Sequence, residues 1–372
     1  MTEKKQRGID IIVALDDKIK EVYTDSLDIS LGELANKHRE KELIINPDFQ
    51  RLFRWSEEKQ SRFIESLLLK LPIPPFFFIE NDDRTWELVD GLQRISSYLH
   101  FIGELPDKKG DYLELNECDI VPELNNLKYN DLPTALQLTL KNRYIRIEVI
   151  RKGSDKRLRY DMFKRLNTGG EKLSEQEIRN STIRILDDKF NEFIVRLSKD
   201  ENFGICTSTL TEEKLSEKYN EELVLRFFAF KNNKRNYKHD VGDFMTKYME
   251  EVSDPTKDVT FDYATEEAIF VKTFKILEET LGECAFSRTN ENENYVLAFI
   301  VYHYEAFALG IQTHLHKIDL CNPEQMKKIK DEFELIKRDK KFRNITTGGG
   351  RNTPRYLNER ISFVETRVGN VI

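Results

Sequence analysis

The sequence predicts an α+β protein: a small mixed-sheet domain over residues 1–190, then an all-α domain over residues 191–372. Three observations predict it. Up to about residue 190, short apolar runs bounded by Pro, Gly and Asn/Asp alternate with amphipathic stretches, so strands and helices are mixed. Beyond that point strand signals thin out and helix-like apolar spacing takes over. At 372 residues the chain is long enough for two hydrophobic cores.

Taken in order, Ser30 and Glu33 stand at capping-box spacing before a short helix. Leu43–Ile45 reads as a strand that ends at the turn signal Asn46-Pro47-Asp48. Ser56 is an N-cap, with Glu57 and Glu58 in the first turn where the helix dipole favours them. Phe63, Ile64, Leu67 and Leu68 give the helix over roughly 56–70 its apolar face. Leu71-Pro72-Ile73-Pro74-Pro75 must be extended, because each proline pushes its predecessor out of the α region. Phe76–Ile79 suits a buried strand, and with Trp86–Val89 it predicts a hairpin. A helix follows the Asp90-Gly91 turn to about Ile102. Residues 103–130 are polar and turn-rich. Residues 131–141 have a helical pattern with Pro133 near its start, and Tyr144–Ile150 alternates as a strand. Asp155–Leu166 reads as a helix stopped by Asn167-Thr168-Gly169-Gly170. Ser174 and Glu177 restart one. In the second half, helices are expected near 187–199, 212–231, 240–251, 264–281, 293–310 and 323–338. A last helix is capped by Thr353 with Pro354 at its first position.

Charged residues make up 34% and hydrophobic ones 39% of the chain, ordinary for a soluble protein. No apolar run approaches the roughly 18–20 residues that span a bilayer, and no signal-type segment follows the N-terminus. A cytoplasmic protein with no membrane partner is expected. Cys118, Cys206, Cys284 and Cys321 are widely separated, which argues against a zinc knuckle or a disulfide framework. The net charge of −7 gives no support for nucleic-acid binding by the whole molecule.

The stretch Trp86 to Leu99 carries the sharpest chemistry: a strand, a tight turn at Asp90-Gly91, then a helix start. Free backbone N–H groups and the positive end of the helix dipole suit an anion there. Arg94 can add a bidentate fork for phosphate. Four polar clusters stand at element ends: Gln50-Arg51 with Arg54; Asp90 to Arg94; Arg165 to Gly170; and Glu177 with Arg179-Asn180. Gathered round one pocket, they would fit a nucleotide. Guanidiniums would take phosphates, a carboxylate would take Mg²⁺ or a water, and amides the base or sugar. Each cluster also has a plainer reading: surface arginines, first-turn residues, a C-cap loop, and a capping Glu177. There is no Walker A pattern, and Gly348-Gly349-Gly350 lacks the Lys-Ser/Thr of a P-loop. The histidines form no zinc-protease or HNH-like set. Near the end, Lys337, Lys340, Lys341, Arg343 and Arg351 belong to a basic cluster. It reads either as a solvated, salt-bridged helix or as a DNA contact surface.

Several motifs occur together in one order: Pro47-Asp48-Phe49-Gln50-Arg51, Trp55, Ile64-Glu65-Ser66-Leu67-Leu68, Pro72-Ile73-Pro74-Pro75, Val89-Asp90-Gly91-Leu92-Gln93-Arg94, and Phe163 to Gly170 with Leu173-Ser174 and Glu177 to Asn180. Over roughly residues 25–185 the chain resembles the bacterial family typified by the N-terminal half of GmrSD restriction proteins, whose hallmark is a DGQQR motif. Leu92 replaces the first Gln of that motif. The resemblance implies a ParB/sulfiredoxin-like fold that binds nucleotide phosphates at the strand–turn–helix, and NTP hydrolysis in an anti-phage or DNA-modification system. The nuclease half of GmrSD-type proteins has no recognisable motif here. On this basis Asp90, Gln93 and Arg94 are the expected catalytic residues, with Asp90 as the Mg²⁺ ligand. Gln50, Arg51, Arg54, Gly91, Arg165, Asn167, Thr168 and Gly169 would bind the nucleoside triphosphate. DNA, a separate nuclease or effector and a second copy of the chain are the other expected partners. The competing reading is a non-catalytic DNA- or nucleotide-binding sensor acting with a separate effector.

Overall fold

A computed structural model describes residues 7, 11–15, 23–45, 53–152, 154, 157, 160–162, 174–290 and 294–372. The chain divides into two compact units, Met1–Lys172 and Leu173–Ile372. As expected, the first is α+β and the second is dominated by helices.

The first unit is built on a five-stranded mixed sheet. In chain order its elements are β1 (Thr24–Ser30), α1 (Leu31–Arg39), β2 (Leu43–Ile44), α2 (Glu57–Leu68), β3 (Phe76–Glu80), β4 (Trp86–Asp90), α3 (Leu92–Phe101), α4 (Thr134–Lys141) and β5 (Tyr144–Ile150). The strand order is β1-β5-β3-β4-β2. β3 and β4 form the expected antiparallel hairpin, β3 runs parallel to β5, and β1 closes the edge antiparallel to β5. Ile145, Ile147 and Val149 of β5 are buried while Tyr144 and Arg146 are exposed, which is the period-two alternation of a strand. β1 shows this alternation only over Leu27-Asp28-Ile29, because it is an edge strand exposed along most of its length.

The hairpin carries the site. Its loop is closed by Asn81 N–H donating to the Thr85 carbonyl at 2.8 Å. Between Phe77 and Phe78 the register shifts: Phe78 faces Leu88, but Phe77 faces Asp90. Val89 is thus an extra residue in β4, and such a bulge bends the strand and re-aims the turn after it. Phe76, Phe78 and Leu88 form the core beneath, each at most 2% exposed. α2 and α3 pack together. Glu65, on α2, is buried but accepts from Ile120 N–H at 3.0 Å and Val121 N–H at 2.6 Å, so it pins the irregular 103–130 segment. Pro133 stands one residue outside α4, as its N-cap.

The second unit comprises α5 (Glu175–Ile183), α6 (Lys189–Leu197), α7 (Glu201–Cys206), α8 (Glu212–Ser216), α9 (Tyr219–Asn233), α10 (Val241–Ser253), α11 (Tyr263–Leu281), a two-stranded ribbon β6 (Arg288–Thr289) and β7 (Tyr295–Val296), α12 (Val301–Gly310), α13 (Pro323–Arg338), α14 (Lys340–Thr346) and α15 (Pro354–Gly369). The helix expected over 293–310 begins only at Val301. Asn290 N–H donates to the Asn294 carbonyl at 2.8 Å, and Asn294 N–H to Asn290 Oδ1 at 2.9 Å, next to the antiparallel pairing of β6 with β7. Aromatic rings fill the core. Phe270 and Phe274 lie 4.4 Å apart, and Phe227 meets both edge-on or tilted.

An alternating line of charge, exposed at its Glu175 end and buried beyond it, runs through this unit. Glu175 pairs with Arg179 at 2.6 Å, Arg179 with Glu222 at 3.2 Å, and Glu222 with Arg226 at 3.7 Å. Arg226 then meets Glu305 at 2.6 Å, and Glu305 meets Arg360 at 3.3 Å. The line ties α5, α9, α12 and α15 together, and Arg360 and Glu305 are each 1% exposed.

Candidate functional site

Gly91 makes the turn between β4 and α3. Its φ of +107° is the left-handed conformation that a side chain disfavours. A Cβ there would also lie 2.4 Å from Phe76 Cδ1. The same Phe76 ring carries the Arg94 guanidinium at 4.6 Å. Arg94 donates to the Pro74 carbonyl, to the Pro75 carbonyl at 3.2 Å, and to Asp90 Oδ2 at 2.9 Å. Burial lowers the Arg94 pKa, while Asp90 acts in the opposite sense. Arg94 therefore folds back onto the extended Pro segment, rather than presenting an open fork. Asp90 is about a third exposed, and its Oδ1 has no partner among the described residues.

Gln93 reaches the other side of the turn. Its Oε1 accepts from the backbone N–H of Arg54 at 2.9 Å and of Trp55 at 3.1 Å. The Trp55 carbonyl accepts from Gln60 Nε2 at 2.7 Å, and Gln60 Oε1 meets His100 Nδ1 at 2.9 Å. Burial lowers the His100 pKa, with Lys108 adding to it and Asp111 and Glu57 acting in the opposite sense. The backbone of Arg54-Trp55 is thus held by Gln93 and Gln60, and Arg54 is exposed. Sequence reasoning misses Gln60 and His100. The apolar spacing that predicts α2 and α3 does not show that their polar residues face each other.

Asp90, Gly91, Gln93, Arg94 and Arg54 come together. Gln50, Arg51, Arg165, Asn167, Thr168 and Gly169 lie outside the described residues. Glu177 fills its plainer role. Its Oε2 accepts from Ser174 N–H at 2.8 Å, and Ser174 Oγ accepts from Glu177 N–H at 3.2 Å, a complete capping box. Arg179 is 3% exposed and bound to Glu175, Gln176, Glu222, Thr246 and Gly242. Asn180 donates to Glu221 at 2.5 Å. That cluster holds the second unit together. Among the described residues, no three His, Cys, Asp or Glu side chains form a metal-holding group. Asp90 alone could hold Mg²⁺ only with ligand phosphates completing the shell, which is the usual way this ion is bound.

The expected DNA contact at Lys337 is corrected by its burial. It is 1% exposed, and Nζ donates to the carbonyls of Cys284, Ala285 and Ser287 at 2.7, 2.8 and 2.7 Å. The amine is thus enclosed by acceptors inside the protein. Lys340 and Lys341 are exposed, and Arg343 and Arg351 are half-buried.

Residues 31–184 match the family described as GmrSD restriction endonuclease, N-terminal domain. That segment is similar to GmrSD N-terminal domains, and the turn at Asp90 lies inside it. The matched segment spans α1 to α5 and so ends within the second unit. No curated protein matches. One similar solved structure is a Pnob8-like ParB-N domain, 11% identical, with 91% of this chain and 98% of that one covered at a TM-score of 0.25. No helix among the described residues is long and apolar enough to cross a membrane.

Proposed function

We propose that the β4–α3 turn binds the phosphates of a nucleoside triphosphate, and that the protein hydrolyses it as part of a restriction-related defence system. The observation that carries this reading is the turn itself, within the segment similar to GmrSD N-terminal domains. A left-handed glycine opens a ten-residue helix whose first turn has no side-chain cap, and Gln93 of that turn holds the Arg54-Trp55 backbone. Arg54, with Arg51 and Gln50 just before it, would supply the positive charge at the phosphates. Arg94 would act as a positioning residue. Its bonds to Pro74, Pro75 and Asp90 fix the turn and orient the carboxylate. Asp90 Oδ1 would hold Mg²⁺ together with the phosphates; the ion would supply charge neutralisation at the transferred group. A ParB/sulfiredoxin-like relation of the sheet belongs to the same proposal.

The experiment is phosphate release from ATP, GTP, CTP and UTP, each with and without DNA and with Mg²⁺. Activity lost in Asp90→Ala supports hydrolysis. Wild type that is silent with all four, or an Asp90→Ala variant as active as wild type, removes the enzyme. The Asp90–Arg94 pairing favours one second reading, a nucleotide-binding sensor that hands its signal to a separate effector. Tight nucleotide binding without turnover would identify it.

A further inference from the structure

A second basic site lies in the helical unit. Arg288, Thr289, Arg343, Asn344, Thr347 and Arg351 line a cavity of about 360 Å³ with the buried Lys337 and His303. We infer that this cavity and the face of α14 leading from it bind consecutive phosphates of a nucleic-acid backbone.

Four observations carry it. First, Arg288, Arg343 and Arg351 pair with no carboxylate among the described residues, although most arginines of this unit do. Second, the cavity is built. Arg343 Nη2 donates to Thr289 Oγ1 at 2.9 Å and its Nε to the Lys337 carbonyl at 3.3 Å. Arg351 lies over the Tyr356 ring at 4.3 Å and donates to the Thr347 carbonyl at 3.3 Å. Guanidiniums held this way lose little freedom on binding. Third, Lys340, Arg343 and Asn344 follow one another at helical i, i+3, i+4 spacing, so Lys340 extends the cavity's charge along one face. A line of cations fits a strand of phosphates better than a single anion. Fourth, the adjoining Gly348-Gly349-Gly350 loop offers bare backbone. A Cβ on any of the three would touch nothing within 4 Å. Positive φ accounts for Gly348 and Gly350, whereas Gly349 has neither strain nor crowding to require it. Close approach of a ligand would.

The test is binding of a fluorescent DNA duplex of about 20 base pairs to the full chain over a range of salt. Wild type is expected to bind with affinity falling steeply as salt rises. Arg288→Glu and Lys340→Glu, both at exposed positions, should each weaken binding about tenfold and lower the salt slope by roughly one. Arg343→Lys is the check on folding, since it keeps charge but loses the fork. Asp90→Ala should bind DNA as wild type does, which separates this site from the proposed nucleotide site. No binding at low salt would overturn the inference. So would charge-reversal variants that bind like wild type, or full competition by millimolar inorganic phosphate.

Discussion

Arg94 Nη2 donates to Asp90 Oδ2 at 2.9 Å across the turn that begins α3. The two charges most conspicuous in the sequence motif therefore answer each other first. Arg94→Ala would free Asp90 and leave the Pro74 and Pro75 carbonyls without their donor. We expect a loss of about 2–3 kcal/mol, the scale of hydrogen bonds to a charged group. Both tryptophans, Trp55 and Trp86, belong to the first unit, so their fluorescence in a urea titration reports its unfolding. An unchanged midpoint would count against a positioning role.

Gly91→Ala should destabilise the same unit by roughly 2–4 kcal/mol, combining a disfavoured φ with a clash against a buried ring. The clash is with Phe76, so Phe76→Leu in the same chain should recover part of the loss. No recovery would mean that backbone strain alone is responsible.

Gln93→Ala removes the acceptor of two backbone N–H groups, at Arg54 and Trp55. We expect about 1–2 kcal/mol of lost stability, a changed Trp55 emission, and weaker binding of a fluorescent nucleotide. Gln93→Glu keeps an acceptor and should retain the emission. If it also binds nucleotide normally, charge near the phosphates is unimportant there.

Glu305→Gln leaves Arg226 and Arg360 buried beside each other without their shared counter-ion. Breaking a buried pair on one side costs on the order of 3–5 kcal/mol. Far-UV circular dichroism should show the helical unit melting earlier, with the tryptophan transition little changed. Equal stability of the variant would show that the buried charges are compensated otherwise.

Lys337 gives a pH signature. Burial pushes its amine down to about 7 from an ordinary 10.5. Between those values the unfolded chain holds a proton that the folded chain has released, so stability rises with pH. Below 7 both states are protonated and the cost of burying the charge is fully present. Burial raises the Cys284 thiol, which opposes the trend above its ordinary 9. The helical unit's urea midpoint should therefore climb from pH 7 to about 8.5. Lys337→Met should lower the midpoint and flatten the climb; a climb of the same size in that variant would refute the assignment.

How much of the structure is legible in the sequence depends on where each signal lives. The hairpin, the Asp90-Gly91 turn and α3 are readable because Pro, Gly and apolar runs act locally. β1 is not, since an exposed edge strand has little alternation to show. Lys337 reads as surface because it sits in a run of lysines. Yet it follows Phe333 by four residues, on the stripe that also buries Met326, Ile329 and Ile336. Spacing outweighs composition there. Ser174 and Glu177 give their capping box directly. That Arg179 is enclosed by α9 and α10 cannot be read, because those partners lie more than 40 residues away in the chain.

The line of charge that starts at Glu175 also marks where this protein can be cut. The segment that matches the GmrSD N-terminal model ends at residue 184, yet Arg179 finds Glu222, Gly242 and Thr246 only beyond that point. A fragment stopped at 184 would expose a helix whose arginine has lost its socket. In an exchange of second halves, the seam is sound on the N-terminal side of Ser174. Placed after α5, it would demand that the incoming half bring a matching socket of its own.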